Sequence, residues 1–268
     1  MLRYADSMVR AMLLLVLGLS LLTGCAREVP TNPAFDLTIE RAEAELEAMG
    51  EDKKPLERPV LVLAGFGDPG LAAMQIVKAL RSTTTTPERV VMVSFFFEPS
   101  IESARETAIE HAREAFGESE VDIVGFSMGG LVARLSAEAD ERGADPLDAR
   151  TIFTIGTPFR GAKASVLPTF DRKVLAMRPG SPLLERLQRT LPDATYELIC
   201  YVRLGDGVVG HENASPFGRP VLWIPNEAYD FAHLGAGSDP RLMADIARRL
   251  RNEPPYSDLA GSPIPELE

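Results

Sequence analysis

The sequence has little cysteine and histidine and no excess of positive charge. Its 268 residues include two cysteines and three histidines, and 39 acidic side chains outnumber 28 basic ones. Two cysteines allow at most one disulfide, and no cluster of His, Cys and Asp has the spacing of a metal site. A formal charge of −11 provides no attraction to phosphate backbones. We therefore expect no metal, no cofactor and no nucleic-acid partner.

The apolar run near the N-terminus is too short to span a bilayer. Residues 11–22 (AMLLLVLGLSLL) are almost wholly apolar, whereas a spanning helix needs about 20 such residues. Arg3 and Arg10 precede the run, and a basic segment before a short apolar one is typical of a secretory signal peptide. Residues 22–25 (LTGC) then resemble the lipobox of bacterial lipoproteins. The resemblance implies a signal peptide over 1–24 and lipid on Cys25.

A lipid on Cys25 would hold the chain in the bacterial cell envelope, because several acyl chains make a stable anchor. Ala26 rather than Asp follows the cysteine, which by resemblance to the enterobacterial sorting rule favours the outer membrane over the outer face of the cytoplasmic membrane. An ordinary signal peptide or an uncleaved signal-anchor is the alternative. Residues 25–57 form a polar tether, with a helix predicted over 37–49 as a solvated spacer.

Short β-branched runs alternate with amphipathic stretches from residue 59 onward. Strands are predicted at 59–64, 90–96, 121–125, 151–155, 197–202 and 220–224, and helices at 70–81, 102–116, 128–140 and 239–251. This alternation indicates an α/β fold, a doubly wound and mostly parallel sheet with helices on both faces. We expect that domain over 58–252, followed by a C-terminal tail over 253–268.

Residues 161–195 interrupt the alternation. They carry many apolar side chains around Pro168, Pro179 and Pro182, which suits a small lid or cap above an acyl-chain pocket. A plain crossover helix that packs on the sheet is the alternative.

The most informative segment is 121–131, in which a strand leads through G-x-S-x-G into a helix. Gly125, Ser127 and Gly129 form the motif, and a serine on such a tight turn points its hydroxyl into a cleft. The alternative is a structural glycine-rich turn whose serine caps the helix.

The segment resembles the nucleophile elbow of the α/β-hydrolase superfamily, particularly of bacterial lipases and esterases. The resemblance covers about residues 58–252. That family orders its catalytic triad as Ser, Asp or Glu, and His, which implies Ser127, Asp206 and His233. Asp206 lies between two glycines after the strand at 197–202, and His233 lies between the last strand and the last helix.

Other acidic and imidazole groups compete for these roles. Asp230, three residues before His233, is the rival acid, whereas His111 precedes the serine within a predicted helix. His211 shares the loop of Asp206. Cys200 lies in an apolar run and is expected to be a buried, inert thiol.

The resemblance also implies an oxyanion hole from the backbone N–H groups of Phe66 and Met128. The family's histidines next to the oxyanion glycine, before the nucleophile and after Gly-Thr-Pro are replaced by Ala64, Phe126 and Phe159. These replacements put a particular substrate preference in doubt and suggest a more apolar pocket.

The resemblance implies a membrane-anchored serine hydrolase that cleaves carboxylic esters or lipids through an acyl-enzyme. Activity should fall in acid as His233 becomes protonated. The same residues would also serve an acyltransferase acting on envelope lipids, and a non-catalytic surface lipoprotein could use the fold for binding. Acyl-chain length, alcohol group and oligomeric state stay open.

Overall fold

A six-stranded parallel sheet forms the centre of the fold. The computed structural model describes residues 30–139, 145–226, 231–259 and 261–266, so the predicted signal peptide and Cys25 lie outside the described residues. The strands are β1 (Val60–Leu63), β2 (Val90–Val93), β3 (Val121–Phe126), β4 (Ala149–Ile155), β5 (Glu197–Arg203) and β6 (Leu222–Ile224). The helices are α1 (Ile39–Glu51), α2 (Leu71–Ser82), α3 (Ile101–Phe116), α4 (Met128–Ser136), α5 (Arg172–Ala176), α6 (Pro182–Thr190), α7 (Ala232–Gly235) and α8 (Pro240–Leu250).

The strand order is β2-β1-β3-β4-β5-β6, and every neighbouring pair is parallel. The predicted parallel sheet is thereby confirmed. Because all six strands run the same way, their carboxyl ends share one edge, where loops from distant parts of the sequence meet.

Helices cover both faces of the sheet, as the apolar strands predict. Leu61 and Leu63 belong to the apolar core under α3 and α4, whereas Val60 and Val62 belong to the core under α1, α2 and α8. Successive strand residues point to opposite faces, so β1 is apolar at all four positions. The packed sheet supports the loops at its carboxyl edge.

The segment before β1 packs on the fold and is not a solvated spacer. Helix α1 begins after Thr38, whose side chain accepts a hydrogen bond from the Arg41 amide, and it ends at Glu51, two residues beyond the predicted end at 49. Ala42 and Met49 are buried in the core shared with α8. The described residues from Thr31 onward belong to one compact unit. The two buried side chains lie seven residues apart and form a narrow apolar face. Glutamates occupy alternate positions between them, so the sequence pattern does not indicate a packed helix.

The described residues of the C-terminal tail also pack on the domain. The indole Nε1 of Trp223 donates to the carbonyl oxygens of Ser262 at 3.0 Å and Pro263 at 3.1 Å. The Asp245 carboxylate accepts hydrogen bonds from the amides of Tyr256 and Ser257. Within the described ranges, no helix is both long and apolar enough to cross a membrane.

Candidate active site

Ser127 lies on the turn between β3 and α4 with a strained backbone. Its φ of 53° and ψ of −123° place a residue with a side chain in a region that favours glycine. Two hydrogen bonds hold it there: its amide donates to the Ile155 carbonyl at 2.8 Å, and the Thr157 hydroxyl donates to its carbonyl at 2.9 Å. The strain is therefore maintained by β4 and the loop after it.

The two motif glycines allow this turn because backbones approach closely on both sides of the serine. A Cβ on Gly125 would lie 2.5 Å from the Gly130 Cα, and a Cβ on Gly129 would lie 2.3 Å from the Leu63 carbonyl oxygen. Neither backbone position has room to move away without displacing β1 or α4. The predicted reason for both glycines, close packing of strand and helix, is confirmed.

The structure brings Ser127, His233 and Asp206 together in one chain of hydrogen bonds. His233 Nε2 lies 3.0 Å from Ser127 Oγ, and His233 Nδ1 lies 2.7 Å from Asp206 Oδ2. An ionised carboxylate only accepts hydrogen bonds, so Nδ1 carries the proton of the neutral ring and Nε2 accepts from the serine. This arrangement prepares the imidazole to remove the hydroxyl proton.

Asp206 is buried but stays ionised. Burial by itself would raise its pKa, but the hydrogen bond and charge of His233 and the amides of Val209 and Val208 more than offset that effect. The net result is a pKa below the ordinary value of an aspartate. Both amides donate to Oδ1 at 2.9 Å, which leaves Oδ2 to the imidazole and orients it.

The imidazole ring is fixed on two sides. The Phe126 ring lies against it, with ring centroids 5.4 Å apart. Gly156, at a φ of +58°, is so close that an added Cβ would lie 3.3 Å from both Asp206 Oδ2 and His233 Nδ1. Phe126, at a position where the family that the sequence resembles often has histidine, forms an apolar wall beside the imidazole.

The two predicted oxyanion donors belong to segments next to Ser127. Met128 is the first residue of α4, where helix amides lack an internal partner. The loop of Phe66 is adjacent, because a Cβ on Gly65 would lie 3.2 Å from the Ser127 Cβ. Neither the Phe66 nor the Met128 amide donates to another described residue. Both N–H groups are thus available to an oxygen that acquires negative charge.

An apolar cavity of about 600 Å³ opens above Ser127 and His233. Its walls come from the loop after β1, the loop after Asp206 and the segment after β4. Apolar side chains that line it include Leu71, Ala162, Val174, Met177, Val208 and Leu234. The volume and lining suit an acyl chain.

The segment 161–195 has two parts with different roles. Leu183, Leu184 and Leu187 of α6 are buried in the core, as the crossover interpretation predicts. Residues 162–177 instead line the cavity and carry exposed apolar side chains, as the cap interpretation predicts. We call residues 162–177 the cap segment.

Lys173 joins the cap segment to the oxyanion loop. The side chain is only 5% exposed, its Nζ donates to the Phe95 carbonyl at 3.3 Å, and the ammonium lies 5.3 Å from the centre of the Phe66 ring. A cation over an aromatic face is attracted to it. The contact therefore helps to hold the loop that carries Phe66.

Solved structures of lipases have the same architecture. The mature lipase BlEst2 of Bacillus licheniformis has a TM-score of 0.51 and 14% identity, over 74% of this chain and 93% of that one. Aspergillus fumigatus lipase B has a TM-score of 0.52 and 16% identity, over 89% and 63%. Phospholipase PlaB of Legionella pneumophila has a TM-score of 0.53 and 10% identity, over 72% and 58%. The chain has the α/β-hydrolase fold.

No protein-family model and no curated protein matches the sequence. The similarity to the lipases is therefore one of three-dimensional structure. Within the α/β-hydrolase fold, the serine turn, the loop of Asp206 and the short helix α7 that carries His233 all follow the carboxyl ends of strands.

The remaining candidates lie apart from this site. His111 is on the surface of α3, 3.5 Å from Glu114, and His211 lies 3.8 Å from Glu212. The rival acid Asp230 lies outside the described residues. Burial raises the pKa of the Cys200 thiol to about 11, which confirms an inert cysteine. Across the described part of the chain, no three His, Cys, Asp or Glu side chains are grouped to hold a metal ion.

Sequence reasoning missed Thr157, Gly156 and Lys173 as parts of this α/β-hydrolase site. The first two belong to the Gly-Thr-Pro segment, and its position directly after β4 could have indicated that they lie near the site. Lys173 carries no such signal, because its partners Phe66 and Phe95 are about 80 to 110 residues distant in sequence.

Proposed function

We propose that this protein is a serine hydrolase that cleaves carboxylic esters. The observation that carries the proposal is the hydrogen-bonded chain from Ser127 through His233 to Asp206, at 3.0 and 2.7 Å, beneath an apolar cavity. The α/β-hydrolase fold is shared with two lipases and a phospholipase, which supports an ester substrate by analogy of fold.

In the first half of the reaction, Ser127 Oγ attacks the carbonyl carbon of the ester. His233 Nε2 takes the hydroxyl proton, and Asp206 stabilises the imidazolium that forms. The carbonyl electron pair moves onto oxygen, and the Phe66 and Met128 amides stabilise that negative charge. The tetrahedral intermediate then collapses, the alcohol leaves with the proton from His233, and the acyl group stays on the serine.

In the second half, a water molecule replaces the alcohol. His233 removes a proton from the water, the hydroxide adds to the acyl carbon, and the acid departs as Ser127 recovers its proton. The acyl chain would lie against Val174, Met177 and the rest of the apolar lining during both halves. The intact geometry of all three groups favours catalysis over a purely binding role.

We further propose that the mature chain begins at Cys25 and carries lipid on that residue. The LTGC sequence at 22–25 and the basic, apolar segment before it support this proposal. The protein would then act at a membrane of the bacterial cell envelope, with the outer membrane favoured. Metabolic labelling with a fatty acid that is lost in Cys25→Ser tests the anchor independently of catalysis.

The proposed reaction is tested with p-nitrophenyl esters from acetate to palmitate and the full chain in detergent. Ser127→Ala should lower turnover by about 10⁴- to 10⁶-fold without changing the circular dichroism spectrum. Ser119→Ala, an exposed serine that bonds the Phe116 carbonyl, is the control and should retain activity. Equal hydrolysis by wild type and Ser127→Ala, or none by either, would exclude the serine mechanism on these esters.

A further inference from the structure

Exposed apolar side chains are concentrated at one edge of the molecule. Phe97, Phe170 and Phe231 are 94%, 101% and 80% exposed, so most of the surface of each ring is open, although the Phe97 ring lies edge-on to that of Phe96. Together with Leu71, Leu167 and Leu234, which are more than 60% exposed, they form what we call the apolar rim. Soluble proteins rarely expose large apolar patches, and those that exist usually mark an interaction surface.

The rim lies at the same edge of the sheet as the catalytic cavity. Phe97 follows the carboxyl end of β2, and Phe231 follows that of β6, the two edge strands of the sheet. Phe170 belongs to the cap segment after β4. Leu71 and Leu234 line the cavity itself, so the apolar surface continues from the outside of the molecule to Ser127.

The N-terminal segment joins the domain near the same edge. The side-chain amide of Asn32 donates to the Trp223 carbonyl in β6. Thr31 and Asn32 line a cleft together with Pro225, the residue after the carboxyl end of β6. Cys25 is six residues before Thr31, and six residues extend over about 20 Å at most. A lipid on Cys25 would therefore keep the bilayer within that distance of the rim-bearing edge.

The charge of the chain indicates which force would act at such a surface. A formal charge of −11 does not favour adsorption to anionic lipid headgroups. Burial of aromatic and aliphatic side chains in the boundary between headgroups and acyl chains needs no such attraction. The rim supplies those side chains, so its contact should form on a zwitterionic bilayer and resist salt.

We propose that the apolar rim docks on the surface of the lipid bilayer that holds the N-terminal anchor of this same chain. The inference rests on the proposed function and deepens it. The cavity entrance faces the bilayer, and the substrate is an ester embedded in that membrane. An acyl chain then passes from the bilayer over Leu71 and Leu234 to Ser127 without entering water.

The contact is measured with the full lipidated chain in phosphatidylcholine vesicles. A fluorophore is attached to Phe170→Cys in the rim or to Phe217→Cys as a matched control; the native Cys200 is buried. Phe217 is an exposed phenylalanine outside the rim, whose ring lies over Arg160 and whose amide bonds Gln188. Brominated acyl chains should quench most of the fluorescence at position 170, and little at 217, in low and high salt alike.

The consequence for turnover is measured on two substrates. The triple variant F97A/F170A/F231A removes three rings, none of which lines the cavity. The rate at which it hydrolyses an ester embedded in the vesicles should fall by about tenfold or more, because burial of even one aromatic side chain contributes enough binding free energy for that factor. Hydrolysis of water-soluble p-nitrophenyl acetate should not change, and F217A should match wild type on both substrates.

The two measurements distinguish a failure of the docking proposal from a failure of the proposed reaction. Equal quenching at 170 and 217, or full activity of the triple variant on the embedded ester, would overturn the docking of the rim. Quenching needs no turnover and should be the same in a Ser127→Ala background. Preferential quenching at 170 with no ester hydrolysis in the wild type would instead refute the proposed reaction and leave the docking surface supported.

Discussion

Two aspartates, at opposite ends of the same sheet, are buried to nearly the same extent and have opposite pKa shifts. Asp122 lies at the amino end of β3 and is 2% exposed, and Asp206 lies beyond the carboxyl end of β5 and is 3% exposed. Burial raises the pKa of Asp122 even though Arg58 opposes it. Burial also raises the pKa of Asp206, but the hydrogen bonds and the charge of its partners lower it by more, so the net shift is downward.

The number of donors explains the difference. Asp122 Oδ2 accepts one hydrogen bond from Arg58 Nε at 3.0 Å, and its buried Oδ1 has no partner within the described ranges. Asp206 accepts bonds on both oxygens, from His233 and from two amides. Burial therefore raises the pKa of both carboxyl groups, and the pre-arranged donors and charges around each one decide the direction of its net shift.

The surroundings of the two aspartates differ in the same way. The cleft at the amino end, about 420 Å³, is lined by charged groups that include Arg58, Arg150 and Glu197. The cavity at the carboxyl end is apolar, and a strained serine lies beneath it. We infer that the amino end serves stability and the carboxyl end serves chemistry. The predictions below test that division.

The largest effect is expected for Asp206→Asn. An amide at this position does not stabilise the imidazolium and favours the wrong tautomer of His233, so kcat should fall by about 10⁴-fold. Steady-state hydrolysis of p-nitrophenyl butyrate measures the loss, and thermal unfolding should show a folded protein. Asp122→Asn is the matched control at the other end, and a comparable loss of kcat there would contradict the division.

A smaller effect, on stability, is expected for Arg58→Met. The change leaves the Asp122 carboxylate buried without its partner, which should lower the free energy of unfolding by about 2 kcal/mol, less than for a fully buried pair. Urea denaturation measures it. Arg150→Met, an exposed arginine in the same cleft, should change stability by less than about 0.5 kcal/mol, and kcat per folded molecule should be unchanged in both variants.

Gly156→Ala should lower kcat by about tenfold, because a displaced catalytic group loses rate steeply with distance. The new methyl group would lie 3.3 Å from Asp206 Oδ2 and His233 Nδ1, in addition to the strain of a φ of +58°. Gly117→Ala has the same strain at a φ of +65° with nothing within 4 Å of its Cβ. Both variants should lose similar stability, and only the first should lose kcat; a loss of kcat in both would indicate backbone strain rather than contact with the pair.

The smallest effect is expected in the pH dependence of stability. The lowered pKa of Asp206 means that its stabilisation is present above about pH 4, the unfolded value, and is lost as pH falls through the folded pKa. The raised pKa of Asp122 has the opposite sign, so its stabilisation is complete below about pH 4 and is lost as pH rises. Urea denaturation between pH 3 and pH 7 measures both trends.

Asparagine variants separate the two contributions. Relative to Asp206→Asn, wild type should gain stability as pH rises through this range. Relative to Asp122→Asn, wild type should lose it. If the difference in unfolding free energy between wild type and variant changed with pH in the same direction in both comparisons, burial rather than the hydrogen-bond donors would determine the pKa shifts of both aspartates.

Much of the catalytic edge could be predicted from the sequence because its signals are local. The G-x-S-x-G turn needs only neighbouring glycines, and the parallel sheet follows from apolar strands that alternate with helices. The choice of Asp206 and His233, after the last two strands, came from the resemblance to the α/β-hydrolase family. Those three side chains do meet in space, at 3.0 and 2.7 Å.

Other parts of the fold could not be predicted because their partners are distant in sequence. Helix α1 appeared to be a solvated spacer, since only Ala42 and Met49 of its apolar face are buried, and α8 that covers them is about 200 residues away. Helix α4 ends at Ser136 rather than near residue 140, and there the carbonyls of Leu135 and Ser136 accept hydrogen bonds from Arg105 and from the Leu147 amide, both outside the helix.

The sequence by itself determined the parallel sheet and the serine turn, because periodicity and glycine spacing act within a few residues, and its resemblance to the α/β-hydrolases implied the order of the three candidate catalytic residues. Only the tertiary structure decided in which direction the pKa of each buried aspartate shifts and that Thr157 holds the strained serine. It also decided that exposed rings from three separate loops follow strands whose carboxyl ends share one edge of the sheet. Each of these depends on groups that become neighbours only when the strands align their carboxyl ends at one edge.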